Sequence, residues 1–171
     1  FMITHPGKKL SFMGNEFAPF MEWRFYEELE WKMLNFPKHL SIQEYVKALN
    51  AFYIENKALW EVDDDYSGFR WINADDSDFS VLSYIRYSKN EDDFLVVVCN
   101  FTPVEHHNFT IGVPADADYR KVFASKGENG LSMLCMAEKN ECNGLPFSIK
   151  FNLPGYGAVV YKPIFRSKEE K

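Results

Sequence analysis

The chain has 171 residues, of which 46% are hydrophobic and 17% aromatic, a composition that supports a buried core and excludes a disordered or collagen-like protein. Lysines and arginines number 19 against 25 aspartates and glutamates, and the net charge is -6. Because no basic stripe interrupts this acidic balance, we expect no nucleic acid as a partner. The lack of a long apolar run and of a signal-like N-terminal block predicts a cytoplasmic protein without membrane contact.

The first 60 residues contain one predicted strand and two predicted helices. Residues 8–14 form a short apolar run typical of a strand. A helix is predicted over residues 26–34. A second helix is predicted over residues 41–56, because Ser41 and Glu44 have the spacing of a capping box. The apolar residues of this second helix repeat at helical spacing, at Ile42, Tyr45, Val46, Leu49, Phe52 and Tyr53.

The remainder of the chain has the pattern of a β domain. Residues 61–68 are acidic and turn-prone, and we predict a linker there. Residues 69–163 predict an antiparallel β-sandwich of about seven or eight strands, because turn signals separate short apolar or alternating runs. These runs are 69–73, 79–87, 94–99, 109–113, 119–124, 147–153 and 156–161. Residues 164–171 form a charged tail that we expect to be mobile.

The cysteines and histidines indicate no special chemistry. Cys99 lies in a continuously apolar run and is predicted to be buried. Cys135 and Cys142 would pair only in an oxidising compartment, and we expect no disulfide. His106 and His107 are adjacent on a predicted strand, so their side chains point to opposite faces and do not suit one metal. No phosphate-binding loop, nucleophile elbow or zinc pattern occurs, so no cofactor, metal or catalytic residue is predicted here.

The first 60 residues cannot form a complete domain, because their single predicted strand has no partner for its backbone hydrogen bonds. A strand, a loop and an amphipathic helix in this order are typical of one βα unit of a parallel α/β fold. We therefore predict a mainly β chain in which the last βα unit of a TIM-type (β/α)8 barrel, residues 1–60, precedes the sandwich. The remainder of the barrel, upstream in sequence, would be its partner.

The loop after the predicted strand carries the candidate site. Asn15, Glu16 and Phe17 would lie at the C-terminal end of a barrel strand, where TIM-barrel active sites are built, and they are candidates for a substrate rim. A tight turn held by hydrogen bonds to the backbone explains the same residues equally well. Trp23 and Trp31 flank the loop, and an indole ring can stack on a sugar, although core packing is its commoner use.

Five sequence runs carry a family resemblance by their identity and their order. The first two are GKKLSFMGNEF from Gly7 and LEWKML from Leu29. The next three are GFRWINADDSDFSVLSYIR from Gly68, LVVVCNFTPV from Leu95 and LPGYGAVVYKP from Leu153. Over almost its whole length, the chain resembles the end of the catalytic barrel and the C-terminal all-β domain of bacterial glycogen branching enzymes, which belong to the α-amylase superfamily.

The resemblance implies an activity and a substrate. Members of this family transfer α-1,4-glucan chains to a 6-hydroxyl by a retaining mechanism, so an α-glucan would be the partner. Their catalytic carboxylates come from earlier barrel strands, so this segment alone is expected to be inactive. Ala18 and Pro19 depart from the glycine and the glutamine or histidine usual after the Asn-Glu-Phe run. Arg24 likewise replaces a common asparagine, and we expect a different loop conformation.

Other interpretations stay open. The sandwich could be a non-catalytic glucan-binding module with exposed aromatics such as Trp71 or Tyr87, or a structural domain that only covers the apolar helix stripe. The chain could also come from a related enzyme of the amylase superfamily, such as a debranching enzyme or a trehalohydrolase. A glycosidase pair of Glu16 and Glu22 is disfavoured, because both carboxylates come from one loop.

Overall fold

The computed structural model describes residues 1–126 and 133–166, which contain one long helix and eight strands. These are α1 Pro37–Glu55, β1 Phe69–Asp76, β2 Val81–Tyr87, β3 Phe94–Asn100, β4 His106–Val113, β5 Asp118–Ala124, β6 Leu134–Met136, β7 Phe147–Leu153 and β8 Ala158–Ile164. Short 3-10 turns are Trp31–Asn35, Lys57–Leu59 and Tyr66–Gly68. The predicted mainly β class is confirmed. Most of the predicted mobile tail, 167–171, lies outside the described residues.

The strands form two antiparallel sheets. A six-stranded sheet has the order β1-β2-β3-β8-β5-β6, and β4 pairs with β7 in a two-stranded sheet. β2 and β3 pair without a register shift from Val81↔Asn100 to Tyr87↔Phe94, and β8 adds to β3 through Val96↔Tyr161. All pairs of neighbouring strands are antiparallel, as the sequence pattern predicts.

The main core lies between the two sheets, and a second apolar cluster lies on the outer face of the larger sheet. β3 contributes to both, because successive side chains of a strand point to opposite faces. Val96 and Val98 pack in the main core, whereas Leu95 and Val97 pack in the outer cluster with Phe52 of α1. A strand covered on both faces has no polar side, which explains the continuous apolar run in the sequence.

Helix α1 covers part of this outer face. The Phe52 ring lies 5.0 Å from the Phe123 ring of β5, and the Tyr45 ring lies 6.0 Å from it. The helix begins at Pro37 and not at Ser41, because proline suits the first helical turn. The predicted capping box is therefore wrong, and the Ser41 hydroxyl instead donates to the Lys38 carbonyl at 2.9 Å. Among the described residues, no helix has both the length and the apolar composition that crossing a bilayer requires.

Two other elements predicted before residue 37 are not formed as regular structure. Residues 8–14 lack a ladder, since the described part of the chain offers them no strand to pair with. The predicted helix over 26–34 is reduced to the 3-10 turn Trp31–Asn35. Only Met33 of that turn is buried, and a short helix without an apolar face to pack has little to stabilise it.

A buried arginine joins these N-terminal residues to the sandwich. The Arg86 side chain on β2 is fully buried and forms an ion pair with Asp63, with 2.8 Å between Nη2 and Oδ1. It also donates to the carbonyls of Thr4 at 2.8 Å, Leu59 at 3.1 Å and Gly68 at 3.3 Å. One guanidinium therefore binds three backbone segments that are far apart in sequence.

Candidate functional site

A tight turn around Gly14 begins the predicted loop. Gly14 has a φ of 86°, a left-handed backbone that favours glycine. A Cβ at this residue would lie 3.0 Å from the Phe17 ring, so the turn also needs the absence of a side chain. The Phe17 N–H donates to the Gly14 carbonyl at 3.0 Å. This turn fixes where Asn15 and Glu16 emerge from the chain.

Phe17 is the internal anchor of the loop. Its side chain is fully buried, and its ring centroid lies 5.2 Å from that of Trp31. Its carbonyl accepts a hydrogen bond from Nδ1 of His39 at 2.9 Å, which ties the loop to the first turn of α1. His39 is buried, and the ring of Phe20 packs against its imidazole at 5.1 Å. Phe17 therefore holds the loop and presents no surface to a ligand.

A cavity of about 480 Å³ lies beside this anchor. Asn15, Glu22 and Trp23 line it together with Phe12, Met13, Ala18 and Pro19. The Trp23 side chain is 68% exposed, and its ring lies 5.4 Å from that of Phe12. The cavity thus combines an exposed indole with an amide and a carboxylate, the groups that can stack on and hydrogen-bond to a sugar.

The remaining predicted residues lie outside this cavity. Glu16 is half-buried and does not line it, so the cavity does not bring Glu16 and Glu22 together. Trp31 is partly exposed on the other side of Phe17. Only Asn15 and Trp23 of the five predicted rim residues line one space. Within the described ranges, no group of three acidic, histidine or cysteine side chains is placed to bind a metal.

The loop backbone is strained at three non-glycine residues. Met13, Ala18 and Trp23 have φ values of 40°, 53° and 61°, a region that costs an L-residue roughly 1–2 kcal/mol. Strained residues persist where surrounding contacts over-determine them, and they occur often at ligand sites. The Arg24 guanidinium pairs with Glu27 at 2.9 Å and holds the chain directly after the loop.

The sequence patterns did not identify two anchoring groups, His39 and the Arg86–Asp63 pair. His39 has the weaker signal, because a lone histidine near a helix start gives no spacing to interpret. Arg86 falls on the polar side of an alternating strand, which predicts exposure, whereas the structure buries it. A charged residue opposite the apolar stripe of α1 is the only signal in the sequence that could have identified it.

The fold and the sequence comparison agree on the class of domain. A family profile described as "Alpha amylase, C-terminal all-beta domain" matches residues 71–164, which is more than half of the chain. The matched region extends from β1 to the last residue of β8 and includes both sheets. The chain therefore belongs to the family that carries this alpha-amylase C-terminal all-beta domain.

Individual relatives extend the similarity into the first 60 residues. The 1,4-alpha-glucan branching enzyme GlgB of Clostridium perfringens is 45% identical over 95% of the chain, and that of Halothermothrix orenii is 39% identical over 96%. The enzyme of the same name from Francisella tularensis subsp. novicida is 42% identical over 96%. The resemblance to branching enzymes is thus confirmed.

The chain spans only about a quarter of the length of these relatives, 26% or 27% of each. Among solved structures, an α-amylase from H. orenii superposes on 72% of this chain and 20% of its own, with a TM-score of 0.46 and 17% identity. We draw nothing further from that superposition.

Proposed function

We propose that this chain is the C-terminal part of a 1,4-α-glucan branching enzyme, which transfers α-1,4-glucan chains to a 6-hydroxyl and so forms the branches of glycogen. The observation that carries the proposal is the 39–45% identity, over 95% of the chain or more, to proteins of that name. Because the candidate cavity holds a single carboxylate, and a retaining mechanism needs two that face one bond, the isolated segment would be inactive.

Residues 1–60 would supply the eighth strand, loop and helix of a (β/α)8 barrel, and the upstream remainder of that barrel would be their partner. The support is a set of large apolar side chains that this region leaves exposed: Leu10, Phe20, Trp23, Phe25, Tyr26, Phe36 and Ile54. Exposed apolar surface of this extent is typical of an interface. In a complete barrel, residues 8–14 would find the neighbouring strand that their backbone lacks here.

The loop would form part of the substrate rim of that barrel, with an α-glucan as its ligand. Asn15 and Trp23 are the residues that would contact the glucan, because they line the cavity of about 480 Å³. Glu16 and Trp31 would act at the edge of the same rim. Phe17 would position the loop through its buried ring and its hydrogen bond from His39.

A cytoplasmic location belongs to the same proposal. Its support is the state of the cysteines, because Cys99, Cys135 and Cys142 are all free thiols in the structure. Unpaired cysteines are usual in reducing compartments. Neither a membrane nor a nucleic acid forms part of the proposal, in line with the net charge of -6.

Iodine staining of amylose tests the proposal on the natural-length protein, with its intact mass measured on the same sample. We expect branching activity, and a Trp23→Ala variant with a KM for amylose roughly threefold to tenfold higher, because a stacking surface is lost. The matched control is Phe25→Ala, which removes an equally exposed ring that does not line the cavity. An inactive natural-length protein contradicts the enzyme proposal, and equal KM values for the two variants contradict the rim.

A further inference from the structure

A second and larger cavity lies at one end of the sandwich. It has a volume of about 730 Å³, within the range of about 300–1,000 Å³ typical of ligand sites. The 3-10 turn Tyr66–Gly68, the start of β1, the β2–β3 hairpin and the chain after β8 enclose it. We call it the hairpin groove. It shares no lining residue with the cavity beside Trp23.

Aromatic rings line the hairpin groove although the fold does not require all of them there. Tyr66 is 91% exposed, so its ring packs against almost nothing in the chain. Phe165 is also exposed, and Tyr87 is half-buried with its ring 5.6 Å from Phe94. Exposed rings beside a concave surface offer flat apolar faces on which the apolar face of a sugar ring can stack.

The charges around the hairpin groove balance. Arg70 and Lys89 supply two positive side chains, and Glu91 and Asp92 supply two negative ones. Such a rim has no net charge to attract a phosphate, an acidic peptide or a basic one, but it offers many donors and acceptors. Burial raises the pKa of the Tyr87 phenol, while the nearby Arg70 acts in the opposite direction. The chemistry fits a neutral ligand with many hydroxyl groups.

Backbone hydrogen bonds hold the hairpin in place before any ligand binds. The Ser88 N–H donates to the Asp93 carbonyl at 3.1 Å, and the Asp93 N–H donates to the Asn90 carbonyl at 2.8 Å. The Glu61 carboxylate accepts the Lys89 N–H at 3.1 Å, which fixes the hairpin to the segment before β1. A preformed rim reduces the ordering cost of binding.

We infer that the hairpin groove binds a neutral α-1,4-glucan chain at a place separate from the loop cavity. Tyr66 supplies the stacking platform, and Arg70 and Asp92 hydrogen-bond to sugar hydroxyls at the rim. The inference rests on the proposed function for the identity of the polymer. Its basis in the structure is independent of that function, because it depends on exposed rings, balanced charge and a preformed hairpin.

Affinity electrophoresis of the natural-length protein in native gels that contain glycogen tests this inference. We expect Tyr66→Ala to raise the apparent Kd for glycogen roughly threefold to tenfold, and Tyr66→Phe to stay near the unchanged protein, because it keeps the ring. Tyr66 has almost no contacts to lose, so its removal leaves the fold intact. The control is Tyr156→Ala, an exposed tyrosine before β8, at the opposite end of the strands.

The outcomes separate the groove from the enzyme activity. Equal retardation of the Tyr66→Ala and Tyr156→Ala variants overturns the hairpin groove, and so does tighter retention by the anionic polymer dextran sulfate than by glycogen. A natural-length protein that branches amylose but shows no Tyr66 effect leaves the proposed function standing without the groove. A protein that is retarded through Tyr66 but branches nothing leaves the groove standing without the proposed activity.

Discussion

Folding stability depends strongly on Asp63, because its carboxylate is the only charged partner of the buried Arg86 guanidinium among the described residues. The two side chains are 7% and 0% exposed and lie 2.8 Å apart. The same carboxylate accepts the backbone N–H of Gly7 at 3.2 Å. In Asp63→Ala the guanidinium keeps its carbonyl partners but loses its counter-charge. Removal of one partner from a buried pair costs about 3–5 kcal/mol, and we expect a loss of that size.

The neighbouring aspartate provides a matched control. Asp64 pairs with Lys8 at 3.6 Å, but these side chains are 91% and 87% exposed. Ion pairs in water contribute little to stability, so Asp64→Ala should leave the free energy of unfolding almost unchanged. Urea denaturation followed by tryptophan fluorescence measures both variants. Similar losses for Asp63→Ala and Asp64→Ala would refute the assignment of a buried pair.

A double substitution separates the charge from the packing. Arg86→Met alone leaves a buried carboxylate and several carbonyls without their donor, so it should also cost several kcal/mol. Asp63→Leu combined with Arg86→Met removes both charges, and the double variant should recover at least about 2 kcal/mol relative to the sum of the single losses. Strictly additive losses would mean that the two groups do not interact.

Two further predictions concern the loop and the cysteines. Ala18→Gly should raise stability by about 0.5–1 kcal/mol, because the φ of 53° at this exposed residue favours glycine. Ala48→Gly in α1 should lower stability by about 1 kcal/mol, and a shift of the urea midpoint in the same direction for both variants contradicts the left-handed backbone. A thiol reagent should label Cys142 first in the folded protein, since burial raises the pKa of the Cys99 and Cys135 thiols and encloses their side chains. Faster labelling at either buried cysteine, read by peptide mass, would show that the core opens there.

The sequence predicted the sandwich well, because most of its strands are long enough to display a period of two. β7 is an example, since Ile149, Phe151 and Leu153 all point into the core between the sheets. β6 escaped prediction for the opposite reason. It has three residues and only Cys135 among them is buried, so no alternation can be recognised in so short a segment.

The N-terminal segment was predicted less well, because its local signals compete with one another. Ser41 and Glu44 have the spacing of a capping box, yet Pro37 begins the helix one turn earlier. Residues 8–14 have a strand composition, but pairing depends on a neighbour that the described residues do not contain. The candidate site shows the same division, because Asn15 and Trp23 line one cavity whereas Phe17 is buried as the loop anchor.

The position of Arg86 changes the meaning of the boundary predicted at residues 61–68. Alternation along β2 predicts an exposed face for Tyr84 and Arg86, but both side chains are fully buried. Thr4 bonds to both of them, by its hydroxyl to the Tyr84 phenol at 2.7 Å and by its carbonyl to Arg86. A sandwich separated at the linker would expose a cation and several apolar side chains at once. The N-terminal segment and the sandwich are therefore distinct in sequence pattern but share one buried interface, and they should unfold together.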